Sequence, residues 1–251
     1  DLSVRETMNS VGEIENMVTG DMFNPMESLF KLGIGTLGYK GAWNLFDQMV
    51  MTTGLISKDN SFSTYSYFTA NSRNSSKLAI FSEHQIVRSG TIDFPESFNN
   101  TIFADIIIKS DTIRIYNLHL QSSGINPNVE TLDSKQSNKL ISRLGATFKD
   151  QQYQAELVVS HMFKSPFKVI LCGDFNNTIY SYVYRILKSE MYDAFDVAGT
   201  GFGRTFKFKY FPFRIDFILA DPGIKVRKFS SFNEVSYSDH FPIMSEFVLE
   251  D

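Results

Sequence analysis

Cysteine is nearly absent. Cys172 is the only one in 251 residues, which excludes an internal disulfide and any multi-cysteine zinc site. Its position in the apolar run Val169-Ile170-Leu171-Cys172 suits packing better than nucleophilic chemistry. No apolar run reaches the length of a membrane-spanning helix, and the N-terminus lacks the basic-then-apolar order of a signal peptide. The chain begins with Asp1 rather than Met, as expected if an upstream segment has been removed. A soluble protein of the bacterial cytoplasm is the expectation. Basic stripes are also missing. The formal charge is −4, so charge gives no support to strong non-specific nucleic-acid binding.

What is abundant is aromatic. The 24 Phe and 11 Tyr against a single Trp favour sheet over helix. A hydrophobic content of 43% over 251 residues fits one large globular domain or two small ones. Acidity is concentrated at the start: residues 1–57 hold seven acids and three bases, and the remainder balances at zero.

Residues 1–30 carry weak helical character broken by Gly12, Gly20 and Pro25. From Thr64 the pattern turns strand-rich. Leu78–Phe81 and Ile102–Ile108 are apolar runs, and 113–120 alternates, with Ile113, Ile115, Asn117 and His119 on one face. Ser110-Asp111-Thr112 reads as the turn of an antiparallel hairpin between 101–108 and 113–120. Mixed three- and four-residue spacing predicts a long helix within 129–163. A strand over 167–172, a helix near 180–189, and strands near 204–208, 214–220 and 243–249 follow. Interleaved elements with hairpins point to an α+β sandwich rather than a doubly wound sheet. Gly33-Ile34-Gly35-Thr36-Leu37-Gly38 matches the dinucleotide fingerprint, but no strand precedes it and no helix follows, so it reads as a glycine-rich turn.

The stretch Leu171-Cys172-Gly173-Asp174-Phe175-Asn176-Asn177-Thr178 ends an apolar strand in a carboxylate and two amides. A tight turn explains this, since Asp and Asn bond their own backbone; so does a site held at a strand end. Three further polar stations end or interrupt apolar strands: Asn117-Leu118-His119, Arg214-Ile215-Asp216 and Ser238-Asp239-His240. Singly, each has a bland explanation: a core histidine, a partnered buried acid, a turn before Pro242. Together they hold the parts of a phosphoester hydrolase. Water attacking phosphorus needs a base, for which Asp174 is the candidate, and an orienting amide, Asn176. Charge on the phosphoryl oxygens needs imidazole or metal, with His119 and His240 available. Asp216 or Asp239 could fix the tautomer of His240 and stabilise its charged form.

These stations, in this order, resemble the endonuclease/exonuclease/phosphatase superfamily of metal-dependent phosphoesterases. G-D-F-N with a downstream S-D-H-x-P is the specific part, and N-x-H and R-I-D-x-I-L are weaker alone. The resemblance covers roughly 64–251. It implies a four-layer α/β sandwich of two mostly antiparallel sheets flanked by helices. It implies that Asp174 positions or deprotonates water, Asn176 orients it, His240 contacts phosphate and pairs with Asp216, and His119 contacts phosphoryl oxygens. Asp239 and Asp174 would hold Mg²⁺ or Mn²⁺, and Asn117 and Arg214 would face the substrate. Asn177 reads as a turn residue.

Departures are equally plain. The family's opening strands end in an asparagine and in Gln-Glu, whose glutamate is the main Mg²⁺ ligand; neither motif occurs before Thr64. The sandwich is therefore expected to be incomplete at its first strands, with weak metal binding unless Glu13, Glu15 or Glu27 substitutes. Residues 24–57 resemble the tail of a related bacterial member instead, because Thr36 and Asp47 repeat the eleven-residue separation of Thr205 and Asp216. The organisation expected is a rearranged segment over 1–57 and the phosphoesterase-like domain over 58–251. Rival expectations are a catalytically impaired relic that keeps a phosphate pocket, and a protein whose missing strands come from another chain. Among substrates, nucleic acid, phospholipid and small phosphodiesters all stay open.

Overall fold

The computed structural model describes residues 78–82, 84–122, 134–208, 211–234 and 238–249, with short strands between 22 and 69. By its contacts the chain divides into two units, 1–67 with 81–85 and 68–80 with 86–251. In the first, β1 (Met22–Phe23) pairs with β4 (Met51–Thr52), and β2 (Leu37–Tyr39) with β3 (Ala42–Asn44). The helical reading of 1–30, Glu13, Glu15, Glu27 and the Thr36–Asp47 spacing lie outside the described residues; of the glycine-rich turn, only Leu37 and Gly38 are described.

The second unit is built on a six-stranded mixed sheet. Its strands are β7 (Ile86–Asp93), β8 (Asn100–Ile108), β9 (Asp111–His119), β10 (Lys168–Asp174), β11 (Tyr192–Asp193) and β12 (Asp216–Ala220), in the order β11-β12-β10-β9-β8-β7. Only β9 and β10 pair in parallel. A parallel pair needs a crossover, supplied by the 29-residue helix α1 (Ser134–Met162). Helices α2 (Tyr182–Lys188) and α3 (Ala194–Ala198) follow β10 and β11. A second sheet pairs β13 (Ile224–Ser231) with β14 (Ile243–Leu249); β5 (Ser66–Thr69) and β6 (Ala79–Ser82), which pair with each other, each divide between the two units. The architecture is the α+β sandwich expected from the sequence. No described helix is long and apolar enough to cross a membrane.

Period-two alternation decides which layer each face meets. Tyr116, Leu118 and Leu120 on β9 and its extension join Val169, Leu171, Phe217 and Leu219 against Ala155 and Val158 of α1 and Val183 and Leu187 of α2. The opposite face sets Ile113, Ile170 and Ile218 on Ile224, Val226 and Phe229 of β13. Beside them, Ile102, Ala104 and Ile106 of β8 pack on Leu78 and Ile80. His119 belongs to this second face by its phase with Ile113 and Ile115.

Where the structure departs from the sequence reading, local irregularity is the cause. The hairpin turn is Lys109-Ser110, with Lys109 at φ 57, so that Asp111 already pairs with Ile108. The stretch 204–208 is not a strand; it makes one bridge, Phe206 to His240, because the N–H groups of Thr205 and Phe206 both turn to Phe213 O. In β13 a register shift between Val226 and Lys228 breaks the alternation that would reveal it. Edge strand β7 is mostly exposed and carries a similar shift.

On the helix side of the sheet, Arg114 (3% exposed) donates two hydrogen bonds to Asp105 (1% exposed), at 2.6 and 2.7 Å. The Phe103 ring lies 4.7 Å from the guanidinium. Removing one member strands a buried charge, so Arg114→Met is expected to cost about 3–5 kcal/mol of unfolding free energy. Urea denaturation checks this; Arg114→Met combined with Asp105→Leu should recover most of the loss.

Candidate active site

The central feature is a row of three side chains on neighbouring strands. In the parallel register Asp174 of β10 lies beside His119 of β9, and in the antiparallel register it lies beside Asp216 of β12. All three belong to the face opposite α1, at the strand ends. β10 reaches this point because Gly173 sits at φ +134, where a Cβ would overlap Leu118 O. No L side chain fits there. Leu120 N then donates to Asp174 O and Phe175 N to Ile215 O, so three strand ends stay tied beyond the ladder.

The octapeptide that ends β10 is both a turn and a site. Asn176 is left-handed at φ 49, a conformation asparagine tolerates. Its backbone N–H donates to Asp174 Oδ1 at 2.7 Å, and its Nδ2 donates to Asp174 Oδ2 at 2.8 Å and Leu120 O at 3.0 Å. Phe175 points the other way, fully buried, with its ring 4.7 Å from Phe217. Asp174 is thus held on both oxygens by the residue two positions on.

His240 reaches the row from the loop after β13. Its Nδ1 lies 2.9 Å from Asp216 Oδ2 and 3.1 Å from Oδ1, and its Nε2 lies 3.9 Å from Asp174 Oδ2. His119 Nε2 approaches the same Asp174 oxygen at 3.6 Å. Ser238 Oγ accepts from His240 N, Lys207 N donates to Asp239 O and Phe241 N to Thr205 O, which locks the Ser-Asp-His turn against 205–207. The Phe206 ring stands 5.0 Å from the imidazole.

Burial lowers the pKa of His119 to about 4, with the charge of His240 acting in the same direction. His119 is therefore neutral near pH 7, and its contact with Asp174 is not an ion pair. Burial also works against charge on His240, but the hydrogen bond to Asp216 and the charges of Asp216, Asp174 and Asp239 outweigh it and raise it to about 9. Burial, then the like charge of Asp216, pushes the Asp174 carboxyl well above the usual range. The row thus combines an imidazolium, a neutral imidazole and a carboxylate of raised basicity.

Not every expected residue joins it. Asp239 is exposed and takes a hydrogen bond from Ser238 Oγ at 3.3 Å; its charge acts on the row from the loop. Asn117 shares the face of His119 but donates to Ala79 O at 3.2 Å. Arg214, expected at the substrate, is 8% exposed and bonded to Asp193 at 2.6 Å and Asp196 at 3.1 Å, between the rings of Phe195 and Phe217. Because β12 begins only at Asp216, the alternation that aims Asp216 at the row does not extend back to Arg214. Asn177 is more than a turn residue, for its Nδ2 donates to Gln151 Oε1 at 2.8 Å.

A buried hydroxyl supports the row from behind. Thr205 is fully buried, and its Oγ1 accepts from both Ile215 N at 3.0 Å and Asp216 N at 3.1 Å. Both lone pairs of one hydroxyl are used to present Asp216. The eleven-residue spacing of Thr205 and Asp216 was its only trace in the sequence. Thr205→Val strands two amides and is expected to cost about 1–3 kcal/mol per group left unsatisfied. Denaturant titration measures the loss, and an unchanged midpoint would show that the amides find other acceptors.

Ligand atoms of Asp174, Asp216 and His240 lie within 4.8 Å of one another, a cluster able to hold a metal ion. A sequence profile of the Endonuclease/Exonuclease/phosphatase family matches residues 26–240. The chain belongs to that family, whose members hydrolyse phosphoester bonds. Its fold is similar to that of a family protein from Bacteroides thetaiotaomicron (20% identity, TM-score 0.55, covering 75% of this chain and 77% of that one). It is also similar to a mannosyl-6-phosphatase of the same organism (19% identity, TM-score 0.53, 74% and 77% covered). A D. rerio TDP2 complexed with a single-strand DNA product shares the fold at 16% identity and TM-score 0.53, with 73% and 77% covered. No curated protein sequence matches the chain.

Proposed function

We propose that the chain hydrolyses a phosphoester by water prepared at Asp174 and Asn176, with phosphoryl oxygens received by His240 and His119. The carrying observation is that His240 Nε2 and His119 Nε2 both lie within 4 Å of one Asp174 oxygen. In that arrangement Asp174 takes the proton of the attacking water, helped by its raised basicity. Asn176 Nδ2 keeps the carboxylate oriented. The P–O bond to the leaving group breaks as the water oxygen bonds to phosphorus. Charge gathering on the phosphoryl oxygens meets the imidazolium of His240, kept charged by Asp216, and the neutral ring of His119.

The donor set fits a hard divalent cation such as Mg²⁺ or Mn²⁺, since two carboxylates stand side by side on adjacent strands and oxygen is the preferred ligand. Of the two carboxylates that the resemblance assigns to such an ion, Asp174 lies in the cluster and Asp239 lies outside it, exposed on the loop. When bound, such an ion adds positive charge at the phosphoryl oxygens. The substrate we favour carries a planar or apolar group beyond the phosphate, as in a nucleotide or phospholipid diester. Exposed Phe98 and Tyr180 stand on loops at the same strand ends, exposed Phe202 lies on the stretch between α3 and Thr205, and no acid occurs from Val197 to Ile215.

The missing Gln-Glu motif favours a second reading, a relic that binds phosphate without turnover. Hydrolysis of bis(p-nitrophenyl) phosphate in ¹⁸O-water with Mn²⁺ separates the two. Label in the phosphoryl product is expected. Label in the nitrophenol, or binding with no product at all, overturns hydrolysis by attack of water at phosphorus.

A further inference from the structure

We infer that Gln151, a buried residue in the middle of α1, is the positioning residue that holds the Asp174–Asn176 loop and the end of the His119 strand in one geometry. This rests on the reading of Asp174 and Asn176 as the water-handling pair. Gln151 is 0% exposed, on the side of the sheet opposite the row. Its Nε2 donates to Gln121 O at 2.6 Å and to Asn176 O at 3.2 Å, and its Oε1 accepts from Asn177 Nδ2 at 2.8 Å. Both amide hydrogens and an acceptor site are therefore used, and every partner lies in one of the two loops that continue β9 and β10. One turn further along, Gln154 Oε1 accepts from Gln121 N at 2.8 Å.

A buried amide with satisfied donors fixes geometry more tightly than apolar packing does, because each displaced bond leaves a desolvated polar group. The geometry fixed here matters to the chemistry. Asn176 is left-handed at φ 49, and the direction of its side chain follows from that backbone. With the Asn176 carbonyl held by Gln151, Nδ2 meets Asp174 Oδ2 at 2.8 Å and Leu120 O at 3.0 Å. If Gln151 lets go, the loop is free to rotate toward ordinary φ, and the Asp174 carboxylate loses its second donor. The same side chain holds Gln121 O, two residues beyond His119, so the spacing of His119 and Asp174 is set from both strands at once. Helical polarity at 151 and 154 is otherwise out of place: the neighbouring α1 positions Ala155 and Val158 face the apolar core.

The test compares the wild type, Gln151→Met and Asp174→Asn in the full chain. Gln151→Met keeps length and burial but removes all three bonds. We expect kcat for the diester to fall about 10–100-fold, as a displacement near 1 Å in a reacting group does, with KM nearly unchanged. Amide exchange at Asn176 and Asn177 should quicken, a readout that needs no turnover. Gln151→Glu should not rescue, because it turns an acceptor toward two carbonyls. If Gln151→Met does not fold, Asn177→Ala removes one of the bonds and should give a smaller fall of the same kind. Wild-type kcat and wild-type exchange in Gln151→Met, beside an inactive Asp174→Asn, overturn the inference and leave the site reading intact. Full activity in Asp174→Asn overturns the site reading itself.

Discussion

Asp174→Asn lowers hydrolysis of a phosphodiester by about 10²–10⁴-fold, the range expected when a positioned general base is removed, without destabilising the fold. The two effects have separate causes. The carboxylate is the proton acceptor for water, and an amide of the same shape cannot take that proton. Stability should hold or rise, because the native site disfavours charge at Asp174 through burial and the nearby Asp216. Oδ1 still accepts from Asn176 N, so the turn keeps its main backbone bond. Steady-state rates and thermal unfolding on the same preparations check the pair of outcomes. Loss of activity together with collapse of the fold would make Asp174 a structural residue only.

His240→Ala is the second large effect, about 10²–10³-fold in kcat, comparable to removing one donor that stabilises developing negative charge. His240 stays protonated at neutral pH because Asp216 bonds its Nδ1 and three carboxylates surround it. Asp216→Asn should therefore approach the same loss although it leaves the imidazole in place. Asn177→Ala, which removes a bond to Gln151 and one from Thr178 N but touches none of the row's side chains, should cost less than either. Equal activities of His240→Ala and Asn177→Ala on the diester would contradict the assignment of phosphate contact to His240.

Much of this is legible in the sequence. The phase of His119 with Ile113 and Ile115 puts the histidine on their apolar face, and polar stations at strand ends point to Asp174, Asp216 and His240 meeting at one end of the sandwich. Short, regular strands with clean alternation advertise both their face and their neighbours. What stayed hidden depends on partners distant in sequence or on irregular backbone. Thr205 lies in a stretch that looks like a strand but wraps the site, held by Phe213 O and the amides of 215 and 216. Gln151 is one polar residue on a long helix, and nothing local shows that it faces two loops. Arg214 misled because its charge suits phosphate, whereas Asp193 and Asp196, some twenty residues earlier, claim it. β13 was lost to a single bulge.

The decisive measurement is the initial rate of bis(p-nitrophenyl) phosphate hydrolysis by the full chain, in Mg²⁺ or Mn²⁺ and again after EDTA, for the wild type and His240→Ala side by side. Turnover in the wild type that disappears with EDTA and is largely lost in His240→Ala is the expected result. Turnover that survives EDTA, or that is equal in the two proteins, would contradict a metal-assisted phosphoesterase centred on Asp174 and His240.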